Sequence, residues 1–437
     1  MNEVPRKSLS RTAKLAALPV SYAGRTALGL GKRLSGQPGE MVSAQLQAAT
    51  AEQVFKVLGE LKGGAMKFGQ ALSIFEAAFP EEVMGPYRAT LTKLQDSAPA
   101  LPAQTVHSVL AAQLGSTWRN RFESFDDTPA AAASIGQVHR AVWKDGTPVA
   151  VKVQYPGAGE ALLSDLTQIS RAARMGTSWM RGLEIGPILT ELKERMVEEL
   201  DYTAEAEAQE RFRTGLAPIE EFAIPAVLAV TEQVLVSEWI DGRALSAVIA
   251  DGTRAERDLA ALRYLELLFL GPSEVGLLHA DPHPGNFRLL ADGRFGVLDF
   301  GAVKHLPDGM PPAIGRLLTV ALRGDADAVA DGLREEGFVR TRIDSRALLR
   351  YLDPFLEPAR HEVFTFSRSW LQRLMGKIND PRRPEWTTAM KLNLPPEYLL
   401  IHRVWLGGIG VLCQLDGRVA VLDVLEDHLP GFQRPGR

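Results

Sequence analysis

Cysteine is nearly absent from this 437-residue chain, where Cys413 stands alone. That excludes an internal disulfide framework and any multi-cysteine zinc site, and it fits a reducing compartment. Aromatic residues are few, at 7%. A strong charge of either sign is missing as well: the net value of -4 carries no global nucleic-acid signature, no nucleic-acid partner is expected, and any basic footprint must be local. No uninterrupted apolar run reaches the ~20 residues that a membrane-crossing helix needs. The best candidate, Val404 to Leu415, is short, follows Arg403 and is broken by Gly407, Gly408 and Gly410. It reads as a buried helix, so no transmembrane helix is expected. The N-terminus lacks a continuous apolar stretch of signal-peptide type. Acid is also missing locally, since Val4 to Gly39 contains no Asp or Glu but does contain Arg6, Lys7, Arg11, Lys14, Arg25, Lys32 and Arg33. With Ala, Leu and Val interleaved, this segment fits a peripheral contact with an anionic membrane surface and a solvated tail equally well. A cleaved transit peptide has the same composition. The expected location is cytoplasmic, peripheral at a membrane surface if the basic segment binds one.

What is present is the composition of an ordinary soluble protein, 46% hydrophobic and 23% charged, in a chain long enough for two or three packed units. Residues 41 to about 95 carry apolar residues at helical spacing, and a loop rich in Pro and Ala leads to a further helix ending near Leu114. The stretch PAAAASIGQVHRAVWKDGTPVAVKVQYPG then shows two alternating apolar runs about KDGT, a hairpin signal. A long charged helix is expected from roughly Ile188 to Arg213, followed by short strands in IPAVLAV and QVLVSEWI. Helices dominate from Leu245, interrupted by one turn-rich stretch, GLLHADPHPGNFRLLADGRFGVLDFGAV. The expected class is α+β, a small antiparallel-sheet lobe joined to a helical one. The expected divisions are a basic segment at 1–40, a helical extension at 41–125, the small lobe at 126–240 and the large lobe at 241–437.

The turn-rich stretch carries the chemistry. Asp281 and Asn286 stand in an Asp-x-x-x-x-Asn spacing, and Asp299 opens an Asp-Phe-Gly triplet. Phosphoryl transfer needs a carboxylate to orient or accept the proton of the attacking group. It also needs an amide oxygen and a second carboxylate to hold metal ions on the phosphates. Kinase catalytic loops supply these groups in this order. FRLLADGRFGVLDF between them reads as a hairpin turning at Asp292-Gly293, which would bring both ends to one place. Each piece alone is weak; order, spacing and hairpin together are specific. His279 and His283 flank Asp281, but with no third ligand at suitable spacing His279 reads as a structural residue holding the loop.

Such a site also needs a lysine on a small-lobe strand, paired with a helix glutamate. Lys152 in VAVKVQ sits among apolar neighbours, where a cation is expensive without an anionic partner. Glu198, Glu199, Asp201 and Glu205 are the partners on offer. The segment upstream of Lys152, where a glycine-rich loop would cover phosphates, reads AAAASIG and includes Ala132, Ala133 and Ser134. Alanine lacks glycine's conformational range, so this loop should be stiffer. Backbone groups from Glu238 to Ile240 would meet the adenine edge, an assignment from position alone.

With these residues assembled, the chain resembles the UbiB-type atypical kinase family over about Leu61 to Asp416. The motifs that carry the resemblance are Lys67, Gly69 and Gln70; Ala130 to Gly136; Glu199 and Asp201; and Asp281, Asn286 and Asp299. The resemblance implies a kinase-like fold, ATP or ADP with Mg2+ as cofactors, and a role in ubiquinone or other isoprenoid-lipid metabolism. It implies that Glu205 pairs with Lys152, while Glu199 and Asp201 engage Lys67 and Gln70 from an extension that occludes the site. There is no Ala-Pro-Glu motif after Asp-Phe-Gly, so a small or lipidic substrate, or water, fits better than a protein. Two other readings stand beside an ATP-dependent phosphotransferase or ATPase: an antibiotic-type small-molecule phosphotransferase, and a nucleotide-gated lipid-binding or scaffold module with little turnover.

Overall fold

The computed structural model describes residues 101–133, 135–157, 159, 200–378 and 384–435. The expected helices of 41–95, the basic N-terminal segment, Lys67, Gln70, Ser134 and Glu199 lie outside the described residues.

The small lobe is a five-stranded antiparallel sheet in the order β1-β2-β3-β6-β5. Among the described residues, helix α1 (Ala103–Leu114) and a short 3-10 turn precede β1 (Phe122–Ala132), β2 (Gly136–Trp143) and β3 (Pro148–Gln154). Along β3, Val149, Val151 and Val153 point one way, and they meet Val106, Val109 and Leu110 of α1 together with Val234 and Val236. This alternation is the period of a half-buried strand, and it puts Lys152 on the opposite face. The KDGT turn closes the β2–β3 hairpin, with Trp143 N–H donating to Thr147 O at 2.8 Å.

The strand β1 is a departure from expectation. Alanine is a poor strand former, yet the alanine run continues β1, with Ala131 opposite Val138 and Ala132 opposite Gln137. The expected alanine-rich loop is therefore the tight tip of a hairpin, closed by Ala133 N–H to Gly136 O at 2.9 Å. Gly136 is required there by close approach, since a Cβ would sit 2.3 Å from Val153 O.

The helix carrying Glu205, α2 (Tyr202–Gly215), also departs from expectation. A helix running through from Ile188 is not what forms at 200–202: Asp201 is the N-cap, its Oδ1 accepting from the Thr203 and Ala204 N–H groups at 3.0 Å each. The carboxylate serves the otherwise unpaired donors of the first turn. Then come β4 (Phe222–Ala223), β5 (Val227–Val230) and β6 (Val234–Glu238).

The large lobe starts with β7 (Arg243–Ala244), α3 (Leu245–Asp251) and α4 (Arg254–Leu270). Thr253 and Glu256 form a capping box at the start of α4. Short strands follow: β8 (Leu277–His279), β9 (Phe287–Leu289), β10 (Phe295–Val297) and β11 (Val303–His305). β9 and β10 form the hairpin expected at Asp292-Gly293, with Gly293 at φ 87° and Leu290 N–H donating to Arg294 O at 2.9 Å. The remainder is α5 (Pro312–Leu322), α6 (Ala326–Glu335), α7 (Ser345–Leu356), β12 (Phe364–Thr365), α8 (Arg368–Ile378), α9 (Pro384–Ala389), α10 (Pro396–Leu415), β13 (Arg418–Val419) and α11 (Val421–His428).

By length and composition α10 is the one described helix able to cross a membrane, and 56% of its most apolar window is buried. It extends N-terminally beyond the Val404–Leu415 run that was expected as a buried helix. Val404, Val411, Leu412 and Leu415 share the large-lobe core with Leu267 and Leu268 of α4, and Trp405 packs on Phe269 with ring centroids 4.8 Å apart.

Candidate nucleotide site

Three charged groups from three separate elements converge. Lys152 Nζ donates to both Glu205 oxygens at 2.8 Å and to Asp299 Oδ2 at 3.4 Å. The side chains of Lys152 and Glu205 are 16% and 2% exposed, whereas Asp299 is 36% exposed. Burial disfavours the Lys152 cation, but Asp299 and Glu205 outweigh it and hold the ammonium well above its usual range. Burial also pushes Glu205 up, to about 7, with Lys152 opposing and Asp299 reinforcing the shift. Of the acids on offer to Lys152, the helix brings Glu205 to it. Glu198 and Glu199 lie outside the described residues, and Asp201 is exposed at the cap.

The Asp-Phe-Gly segment is held from both sides. The Phe300 N–H donates to Glu205, the Phe300 ring packs on Phe212 of α2 at 5.1 Å, and Gly301 N–H donates to Asp299 Oδ1 at 3.0 Å. His279 is 2% exposed, and burial lowers its pKa, so it is neutral. Since a carbonyl only accepts, its Nε2–H donates to Asp299 O at 2.6 Å. That is the loop-holding role expected for His279. His283 caps a short 3-10 turn, its Nδ1 accepting from Gly285 N–H at 3.1 Å.

Asp281 Oδ1 accepts from His283 N–H at 3.2 Å. Asn286 directs Nδ2 toward Asp281 O at 3.5 Å, which leaves Oδ1 as its oxygen donor. The pairing of β9 with β10 brings Asn286 and Asp299 to the same end of that hairpin, with Leu298 N–H donating to Asn286 O at 2.9 Å. No group of three or more His, Cys, Asp or Glu side chains gathers as a metal site among the described residues. Two hard oxygen donors, Asn286 and Asp299, fit Mg2+, which keeps several waters and takes phosphate oxygens to complete its octahedron.

At the hinge, Glu238 N–H donates to Ala226 O and Trp239 N–H to Pro148 O, both at 2.9 Å. Sheet pairing thus commits two of the backbone donors in the expected adenine-facing stretch, and Ile240 is the next. Ala132 and Ala133 sit at the hairpin tip described above. A concavity of about 800 Å3 borders the hinge at Glu238 and Ile240, but Lys152, Asp281, Asn286 and Asp299 do not line it. One contact was not foreseen: the Tyr202 ring lies 5.1 Å from Lys152 Nζ and adds a cation–π contact to its environment. An aromatic residue one helical turn before Glu205 was the available signal.

Several known proteins are similar to this chain in sequence, and a solved structure shares its fold. The chain is 30% identical over 353 residues to the mitochondrial atypical kinase coq-8 of Caenorhabditis elegans, covering 77% of this chain and 46% of that protein. It is 26% identical over 428 residues to the mitochondrial atypical kinase COQ8 of Saccharomyces cerevisiae, covering 94% of this chain and 82% of that one. Among solved structures, the complex of Rv3197 with erythromycin from Mycobacterium tuberculosis superposes with a TM-score of 0.70 at 43% identity, covering 91% of this chain and all of that one. The description "ABC1 atypical kinase-like domain" matches residues 93–333, more than half of the chain. By sequence and by fold, this chain belongs to the ABC1 family of UbiB-type atypical kinases.

Proposed function

We propose that the chain binds ATP with Mg2+ and uses it as a phosphotransferase or ATPase in isoprenoid-quinone or related lipid metabolism. The observation that carries this reading is Lys152 Nζ held between Glu205 at 2.8 Å and Asp299 at 3.4 Å. A buried lysine so restrained presents a fixed positive charge to phosphate oxygens without reorganising when they arrive. Asp281 orients the attacking hydroxyl or water and takes its proton. Asn286 Oδ1 and the exposed Asp299 carboxylate hold the metal, which when bound neutralises charge on the phosphates. His279 and Phe300 keep the Asp299 backbone in place. Ile240 N–H meets the adenine edge, and the stiff tip at Ala132 and Ala133 covers the phosphates of ATP or ADP. Glu199, Asp201, Lys67 and Gln70 act as an occluding set that keeps protein substrates out, Asp201 doing so with the oxygen not engaged in capping.

A second reading is favoured by the M. tuberculosis relative, which was solved with erythromycin. Here the chain is a nucleotide-gated binder of a large amphipathic small molecule, with little or no transfer. The test is ATP hydrolysis with Mg2+, with and without anionic liposomes, beside Asp299→Asn and with erythromycin as an added ligand. Turnover that disappears in the variant supports the enzyme reading. Metal-dependent ATP binding and tight erythromycin binding, both without turnover or a phosphorylated product, support the second.

A further inference from the structure

The chain as a whole is acidic, with 49 Lys and Arg against 53 Asp and Glu. One concavity on the large lobe reverses that balance. It has a volume of about 490 Å3 and lies between the Gly324 loop, α7 and the end of α8. Four cations line it (Arg346, Arg350, Arg360 and Lys377) and one acid, Asp353. Arg360 takes that acid at 2.5 Å. Arg346, Arg350 and Lys377 have no carboxylate partner among the described residues.

Two acids next to the cavity in sequence hold other hydrogen bonds. Asp325 Oδ1 caps α6 by accepting from Ala328 N–H at 3.0 Å, and Asp327 Oδ1 accepts from the Ser345 hydroxyl at 2.5 Å. Arg346 and Arg350 stand four residues apart on α7, a like-charge spacing that repels by a few tenths of a kcal/mol rather than stabilising. Lys377 from the last turn of α8 adds to that repulsion. A surface that only needed solubility would interleave both signs. The remaining wall is apolar or neutral: Ala326, Leu349, Pro354 and Ile378, with the half-buried Tyr351 among them. Ala326 is the first residue of α6, whose N-terminus is already capped by Asp325.

We propose that this cavity is an anion-binding site, separate from the nucleotide site, for the phosphate or diphosphate group of a soluble or lipid-borne ligand. Arg346 and Arg350 grip the phosphate oxygens with planar guanidinium donors, which suit that geometry. Lys377 contributes a point charge. The apolar wall of Leu349, Pro354 and Ile378 accepts whatever chain or ring follows the phosphate. None of these residues belongs to the nucleotide site, so the proposal stands whether or not that site turns ATP over.

The test is calorimetric titration of the full chain with inorganic pyrophosphate in the presence of saturating Mg-ADP, so that the nucleotide site is already filled. The comparison is an Arg346→Gln/Arg350→Gln variant, checked for an unchanged melting temperature. A parallel arm measures co-sedimentation with phosphatidylcholine vesicles with and without phosphatidate. Pyrophosphate binding that weakens at least roughly tenfold in the variant supports a soluble phosphate ligand. Phosphatidate-dependent sedimentation lost in the variant, with pyrophosphate bound poorly by both proteins, supports a lipid-borne one. Equal behaviour of variant and parent in both arms overturns the proposal.

Discussion

Replacing Glu205 by alanine should be among the most damaging single changes to the small lobe, and the size of the effect can be worked from the geometry. Glu205 is 2% exposed and takes two hydrogen bonds from Lys152 at 2.8 Å. Removing one member of a buried pair leaves the other charge uncompensated, at about 3–5 kcal/mol. Asp299 remains 3.4 Å from the ammonium and is partly exposed, so it recovers part of that loss, and the expected cost is about 3 kcal/mol. Lys152→Met is different in kind. It leaves a carboxyl that stands at about 7 beside the lysine and rises further without it, so it takes up a proton and becomes neutral at modest cost. Lys152→Met should therefore be less destabilising than Glu205→Ala, and its cost should be smaller at pH 6 than at pH 8. Urea unfolding of both single variants and the double variant, at the two pH values, gives the four-way cycle. A Glu205→Ala cost below about 1 kcal/mol would refute the reasoning, since it would show that Asp299 and solvent satisfy Lys152 unaided. So would a Lys152→Met cost independent of pH.

The same carboxyl should set the acid limb of nucleotide binding. As pH falls through about 7, Glu205 protonates and releases Lys152, so ATP affinity should fall on the acid side and this limb should flatten in Glu205→Gln. Its stability contribution has the opposite sign: with the folded pKa above the ordinary carboxylate value of 4.5, the folded chain holds the extra proton between 4.5 and 7, and stability declines as pH rises through that window. His279→Phe should leave the Asp299 carbonyl without its donor, costing about 1–3 kcal/mol and lowering turnover more than ATP affinity, as steady-state kinetics would read. Gly136→Ala should displace the β1–β2 tip from β3, because its Cβ would meet Val153 O at 2.3 Å; loss of nucleotide binding and a lower melting temperature are expected, and a neutral substitution would contradict the close approach.

Local chemistry was legible in the sequence, and choices made by packing were not. The turns at KDGT and Asp292-Gly293 depend on a few adjacent residues, and both form as read. The order of Asp281, Asn286 and Asp299 likewise fixes where catalytic groups would lie along the chain. Strand β1 escaped because alanine has little strand propensity and its exposed pattern lacks strong alternation; pairing with β2 overrides both. The true start of α2 was hidden because Asp201 reads as one more acid on a charged helix until its capping bonds are seen. The apolar run begins after Arg403, yet α10 starts at Pro396 and carries Arg403 on its less buried side while Ile401 and Val404 enter the core. Residues alone left four acids open as the partner of Lys152; the packing of α2 against β5 and β6 brings Glu205 to it, and that packing is a property of the whole lobe.

One largely buried chain of hydrogen bonds bears on more than the stability of the small lobe. Leu101 N–H donates to Gln137 Oε1 at 2.7 Å, Gln137 Nε2 donates to His139 Nε2 at 2.8 Å, and His139 Nδ1–H donates to Asp126 O at 2.8 Å. These bonds tie the entry to α1 to both strands of the hairpin whose tip is Ala133 to Gly136. Thermodynamic linkage is reciprocal. If binding upstream of Leu101 changes the free energy of that first bond, and the tip covers a nucleotide as proposed, each event changes the other's free energy in equal measure. If the tip covers a nucleotide as proposed, the amide of Leu101 is a point at which that occupancy would be felt from the far side of the sheet.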